Sequence, residues 1–386
     1  RCLWTLTIDG KQKEQGEITL PKVAPGESET ITLPAFRSLS DKKALNRKGN
    51  NSNSTNTLSD CQLKVSIVLK SDVLWAKAGH EVTWEQFCLQ QGELLSADLI
   101  NKGALQVKED DKSLSVSGRG FSVQWEKKAV GSITSLMYNG KEILTQNHFP
   151  VQPVTQAFRA PTDNDKSFGN WLAKDWQLHG MDHPLISLES FDHEVRADGA
   201  VIVRNVTTTS VYTISSDGVI DLKTTFLPQG VFPELPRLGL AFCLAPAYNT
   251  FTWYGRGPQD NYPDRKTSAA TGLWKGTVAE QYVHYPRPQD SGNKEEVQFL
   301  TLTDKRNKGI RVDAVEDVFS ASALHYTAQD LYKETHDCNL KPRPEIILSM
   351  DAAVLGLGNS SCGPGVLKKY AIEKKEHTLH IRISKQ

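Results

Sequence analysis

Four short stretches of this 386-residue chain gather residue types that could do chemistry. FRAPTDND (158–165) carries Arg159, Asp163, Asn164 and Asp165, and WYGRGPQDNYPDR (253–265) carries Trp253, Gly255, Gly257, Asp260, Tyr262, Asp264 and Arg265. YPRPQDSGNKEEV (285–297) adds Asn293, and VLGLGNSSCGPGV (354–366) adds Ser361 and Cys362. Asp163 with Asp165, or Asp260 with Asp264, supplies the paired carboxyl groups that glycoside hydrolysis needs, one to protonate the leaving oxygen and one to attack or to activate water. The same Asp in a turn caps backbone N–H groups. Arg159 and Arg265 are natural partners as well, since a guanidinium can hold a carboxylate at two points. Trp253, Tyr254, Tyr262, Trp274, Tyr282 and Tyr285 suit either stacking on a pyranose or packing in a core. Both uses stay open on residue type alone.

Other chemistries find less support. There is no GxSxG elbow, phosphate loop or HExxH, and GLGNSSCGPG (356–365) lacks the lysine a phosphate loop requires. Cys362 has no histidine at readable spacing. His377 and His380 fall on opposite faces of a strand and make a poor metal pair. The six cysteines are scattered with no CxxC pair, which reads as buried free thiols. Lys+Arg and Asp+Glu both number 45, so nothing in the charge argues for nucleic acid or an anionic membrane surface. No apolar run approaches the roughly 18–20 residues of a membrane span. Sequons stand at Asn50, Asn53, Asn205 and Asn359 and matter only in a secreted eukaryotic protein.

The elements that would hold these groups are strands. Alternating or β-branched runs recur throughout (LWTLTI, CQLKVSIVLK, VIDLKTTF, VQFLTLTD, TLHIRI), separated by Gly, Pro, Asn and Asp, which predicts an all-β chain. Asp9-Gly10, Asn139-Gly140 and Asp217-Gly218 mark hairpin turns. Thr327 with Asp330 resembles a capping box opening one short helix. The polar stretch 38–59 reads as a mobile loop. A change in composition near 88–112 divides the chain into a sandwich over 1–95, a linker over 96–110 and a large β domain over 111–386. Because alternation begins at Leu3, the first strand is expected to lie inside a domain that lacks its opening strands.

In their order along the chain, the four motifs resemble the C-terminal part of the family 2 β-galactosidases, and WAKAGHEVTWEQFCL (75–89) resembles the end of that family's linker domain. The resemblance implies an immunoglobulin-like sandwich followed by a galactose-mutarotase-like antiparallel supersandwich. It implies that the catalytic glutamates, with Mg and Na ions beside them, lie in a (β/α)8 barrel. No barrel pattern is present in these residues, so no catalytic residue, cofactor or metal is expected within them. The partners implied are the N-terminal and barrel domains of the same enzyme and a β-galactoside, with a homo-oligomer and the compartment (cytoplasm or periplasm of a bacterial source) left open. Asp163, Asn164, Asp165, Asn293, Ser361 and Cys362 would stand at the rim of the sugar pocket. Arg159, Trp253, Gly255, Gly257, Asp260, Tyr262, Asp264 and Arg265 would be structural. Asp260 and Asp290 stand where Glu is common, and Cys362 where the pattern has Trp. A stand-alone carbohydrate-binding or assembly module is the other reading of the same motifs.

Overall fold

The computed structural model describes residues 1–40, 46–47, 57–97, 103–127, 132–149, 152–166, 191–195, 199–206, 208–228 and 234–386. Most of the polar 38–59 stretch, with Asn50 and Asn53, lies outside them, as do residues 167–168 beyond the FRAPTDND motif. Two compact units form: Arg1–Glu93 with Ala270–Leu273, and Leu94–Ala269 with Trp274–Gln386.

The first unit is a four-stranded antiparallel sheet in the order Lys11–Ile18, Cys2–Ile8, Cys61–Val68, Glu81–Gln90. In Cys2–Ile8 every second residue is buried, placing Cys2, Trp4, Leu6 and Ile8 on one face. Leu33, Phe36 and Leu39 pack against that face. Gly16 is required where Trp4 crosses the neighbouring strand, because a Cβ there would stand 2.6 Å from the indole. Asp9 (φ 49°) and Gly10 (φ 72°) form the tight turn that sets the register Ile8 to Lys11.

Among the described residues the second unit holds three antiparallel sheets of five, five and nine strands around one large hydrophobic core and two smaller buried clusters. Residues 106–109, inside the stretch expected as a linker, are the edge strand of the first of these sheets, paired with Ser113–Gly118. The second five-stranded sheet runs Val154–Gln156, Arg237–Leu244, Ile346–Val354, Phe319–Leu324, Lys294–Val297. Arg237–Leu244 and Phe319–Leu324 are buried at every position. A strand covered on both faces reads as a continuous apolar run rather than an alternating one. In the nine-stranded sheet His377–Lys385 lies between Ile220–Phe226 and Gly309–Ala314.

The Thr327 capping box is formed: its side chain accepts from Asp330 N while the Asp330 carboxylate accepts from Thr327 N. All six cysteines are free, but only Cys2, Cys61 and Cys243 are buried, whereas Cys88, Cys338 and Cys362 are exposed. Burial pushes the Cys61 thiol up to about 11, so it is inert rather than nucleophilic. No helix is long and apolar enough to cross a membrane among the described residues.

Candidate functional site

Parts of all four motifs meet in the second unit, at a cleft of about 440 Å³ lined by Asp163, Asn164, Asp260, Tyr262, Tyr285, Asp290 and Leu357, among others. Beneath it runs a network of buried ion pairs. Arg159 is fully buried, and its Nε and Nη2 donate to the two oxygens of Asp165 at 3.0 and 2.7 Å. Its remaining donors reach Leu355 O (2.6 Å) and Gly356 O (3.1 Å). One guanidinium therefore ties FRAPTDND to the start of the 354–366 segment. Asp165 also accepts from Thr162 N and Oγ1, so both of its oxygens are occupied.

The second pair crosses neighbouring strands. Arg237 Nε and Nη2 donate to Asp351 at 3.1 and 2.6 Å, and Arg237 Nη1 lies 3.7 Å from Asp290. Gly239 leaves room for this pair, since a Cβ there would stand 2.1 Å from Asp351 Oδ1. Tyr262 OH donates to Asp290 Oδ2 at 2.8 Å. Burial, then the adjacent Asp290, holds the Tyr262 phenol well above its ordinary range, so it remains a donor.

WYGRGPQDNYPDR is a corner wrapped around Trp253. The indole is buried, stacks on Phe251 at 4.8 Å, and donates from Nε1 to Arg256 O. A Cβ on Gly255 would meet the backbone of Val297, and one on Gly257 would meet Trp274 and Trp253. Asp264 accepts from Leu357 N (2.9 Å) and Gly358 N (2.8 Å). Arg265 lies 3.9 Å from Asp264 and donates to Gly358 O and Asn359 Oδ1. Both residues thus fasten the 356–359 turn. Asn164 completes the fastening: its Nδ2 donates to Gly358 O, and its Oδ1 accepts from Ser361 N and Oγ.

Of the residues expected at the rim, Asp163 and Asn164 line the cleft, and Ser361 is bound to Asn164. Asp165 and Asn293 do not line it; both are buried, Asn293 donating to Asn261 O and Glu295 Oε1. Cys362 is exposed and hydrogen-bonds through its backbone N to Asn359 O. Asp260, Tyr262 and Arg265, expected as structural residues, line the cleft. Each carboxylate pair is split in this way. Asp163 and Asp260 face the cleft, while Asp165 is spent on Arg159 and Asp264 on backbone N–H groups.

Sequence reasoning missed three groups. Gln289 accepts from Asp163 N at 2.7 Å and fixes that loop. The Arg237–Asp351 pair was signalled by single charges inside the apolar runs RLGLAFCL and ILSMDAAV. Lys294 is 1% exposed, and its ammonium stands 5.0 Å from the centre of the Trp253 ring. Burial pushes it down to about 8, against the pull of Asp260. Burial likewise raises Asp260, partly offset by Lys294. Among the described residues no group of three or more His, Cys, Asp or Glu converges as a metal set.

The sequence model of the β-galactosidase small chain matches residues 117–383, and that of β-galactosidase domain 4 matches residues 1–90. The chain belongs to the β-galactosidase small-chain family. Its relatives in that family include a β-galactosidase of Priestia megaterium, 29% identical over 92% of this chain and 33% of that protein. Those of Halalkalibacterium halodurans and Kluyveromyces lactis are 30% identical over 80% and 81% of this chain, and each match covers 31% of the relative. The chain thus spans about a third of the length of the β-galactosidases it matches. Among solved structures, a galactose 1-epimerase of Lactobacillus acidophilus is similar at 9% identity and a TM-score of 0.37, over 73% of this chain and 99% of that one.

Proposed function

We propose that this chain serves a β-galactosidase as its non-catalytic, C-terminal β-rich portion. In this reading terminal β-galactosides are hydrolysed with retention, by double displacement between two glutamates on a (β/α)8 barrel that these residues do not supply. The second unit packs beside that barrel and presents the cleft edge around Asp163, Asn164 and Ser361 to the rim of the sugar pocket. The carrying observation is that residues 1–90 and 117–383 match β-galactosidase domain 4 and small chain while the chain spans about a third of its relatives' length. A retaining glycosidase needs two carboxyl groups about 5–5.5 Å apart, free to act on opposite faces of one bond. Here Asp165 is consumed by Arg159 and Asp264 by the 357–358 backbone, which leaves Asp163 and Asp260 in the cleft as the carboxylates that an activity test has to address. The fastening of the 356–361 turn by Arg159, Asp264, Arg265 and Asn164 supports a positioning role, because a site held by packing loses activity when its support shifts by an ångström.

The purified chain should not turn over o-nitrophenyl β-galactoside. Turnover by the purified chain would overturn the proposal, and its loss in the Asp163→Asn or Asp260→Asn variant would place the chemistry in this cleft. The cleft itself favours a second reading, a stand-alone carbohydrate-binding module, since Tyr285 and the planar amides of Gln259 and Gln289 line it. Calorimetric titration with galactose and lactose separates the two. A Kd tighter than about 1 mM for the chain alone supports the module, and silence supports the positioning role.

A further inference from the structure

Away from this cleft, three stretches distant in sequence bring cations to one pocket of about 300 Å³ in the second unit. Lys141 comes from the hairpin turn after Tyr138, Arg306 and Lys308 from the loop joining Phe299–Thr303 to Gly309–Ala314, and Lys385 from the end of His377–Lys385. The backbone fixes all three. Asn139 (φ 51°) and Gly140 (φ 74°) form a tight turn that places Lys141 opposite Tyr138. In the second loop Asp304 Oδ1 accepts from Arg306 N (2.8 Å) and Lys308 N (3.0 Å), with Asn307 at φ 55°. Lys385 is held in register opposite Ile310, two residues beyond Lys308.

The charges on this rim are poorly balanced. Asp304 pairs with Lys141 at 3.0 Å and is otherwise committed to its own loop. Among the described residues no side-chain carboxylate stands within ion-pair distance of Arg306, Lys308 or Lys385, and Gln386, whose N donates to Gly309 O, shares the pocket wall; in the adjoining strand Arg311 closes on Asp313 at 2.6 Å. In a chain with as many acidic as basic residues, a group of like charges gathered at one rim is a local property. The inner wall is apolar. Tyr138, Tyr248 and Ile143 line it, and the two hydroxyls donate elsewhere, to Gly218 O (2.8 Å) and Glu142 O (3.0 Å).

We propose that this pocket binds a phosphate or sulfate group borne on a small ester whose apolar part lies against Tyr138 and Tyr248. The Arg306 fork matches two oxygens of a tetrahedral oxyanion, and the lysines act as point charges around the rest. The inference does not depend on the proposed enzyme role, since the pocket shares no residue with the cleft.

Isothermal titration of the full chain at low ionic strength tests it, with inorganic phosphate, sulfate, phenyl phosphate and chloride as probes. Phosphate or sulfate should bind saturably at one site with a Kd of about 1 mM or tighter, and the preferred ion identifies the ester. Phenyl phosphate should bind more tightly than inorganic phosphate, and Tyr248→Ala should remove that advantage. The double variant Arg306→Ala/Lys308→Ala, altered only in an exposed loop, should bind at least about tenfold more weakly. The conservative Lys308→Arg and the remote Lys375→Ala should bind as the unaltered chain does. No saturable binding of either oxyanion by about 20 mM would overturn the proposal. So would an equal response to chloride at matched ionic strength, or unchanged affinity in a double variant whose circular dichroism is native.

Discussion

Asp163 and Asp165 are two residues apart, yet one faces water in a cleft and the other is buried against a guanidinium. Removing one partner of a buried pair leaves the other charge uncompensated, at a cost of about 3–5 kcal/mol. Asp165→Asn should therefore lower the urea-unfolding free energy by about that much, while Asp163→Asn should stay within about 0.5 kcal/mol of the unaltered chain. Equal losses would show that Asp165 is not the structural member. Lys294 gives a pH signature of opposite origin. Its folded value, about 8, lies below that of an unfolded lysine, so the unfolded state holds the proton more tightly. The penalty for burying the ammonium is complete below pH 8 and fades as pH rises from there towards the ordinary lysine range near 10.4, where both states are neutral. Labelled-lysine NMR should find one amine titrating near pH 8 that is lost in Lys294→Met. Residue type in the sequence identified Arg159 as a carboxylate partner but could not choose between Asp163 and Asp165. That choice is made by Thr162, whose N and Oγ1 hold Asp165 inward, and such geometry has no sequence signature.

Elements were more legible than residues, because turns and caps rest on local chemistry. The Thr327 capping box could be read directly, and Thr327→Ala should cost about 1 kcal/mol in thermal or urea unfolding. Asn139-Gly140 takes φ > 0 at both positions, as a two-residue hairpin turn requires. Asp217-Gly218 differs: only Gly218 (φ 86°) is left-handed, and Ser215 N donates to Val219 O across a longer loop. That difference makes a ranking. Gly140→Ala meets open space and should cost only backbone strain, about 1–2 kcal/mol. Gly218→Ala adds a clash, since its Cβ would stand 2.6 Å from the Phe121 ring, and should cost more. If the two variants melt together, the contact with Phe121 is not confining. The strands covered on both faces were harder to read, because period-2 alternation disappears from Arg237–Leu244 and leaves only the lone charges to betray the buried pair.

At the scale of the whole molecule, the motifs that identified the family turned out to be fasteners. They converge from positions some two hundred residues apart because buried guanidinia and carboxylates clamp the loops between strands. The nine-stranded sheet adds a constraint of time. His377–Lys385 sits in its interior, bonded to Ile220–Phe226 on one side and Gly309–Ala314 on the other. On the ribosome those two strands emerge first and wait with open edges for their common neighbour. At roughly 5–20 residues per second, the interval between the end of Gly309–Ala314 and the end of His377–Lys385 is roughly 4–14 s. Throughout it two halves of a sheet stand ready to pair with the wrong chain. A premature stop codon just before His377 would therefore do more than trim an edge: it would leave the sheet permanently in two pieces.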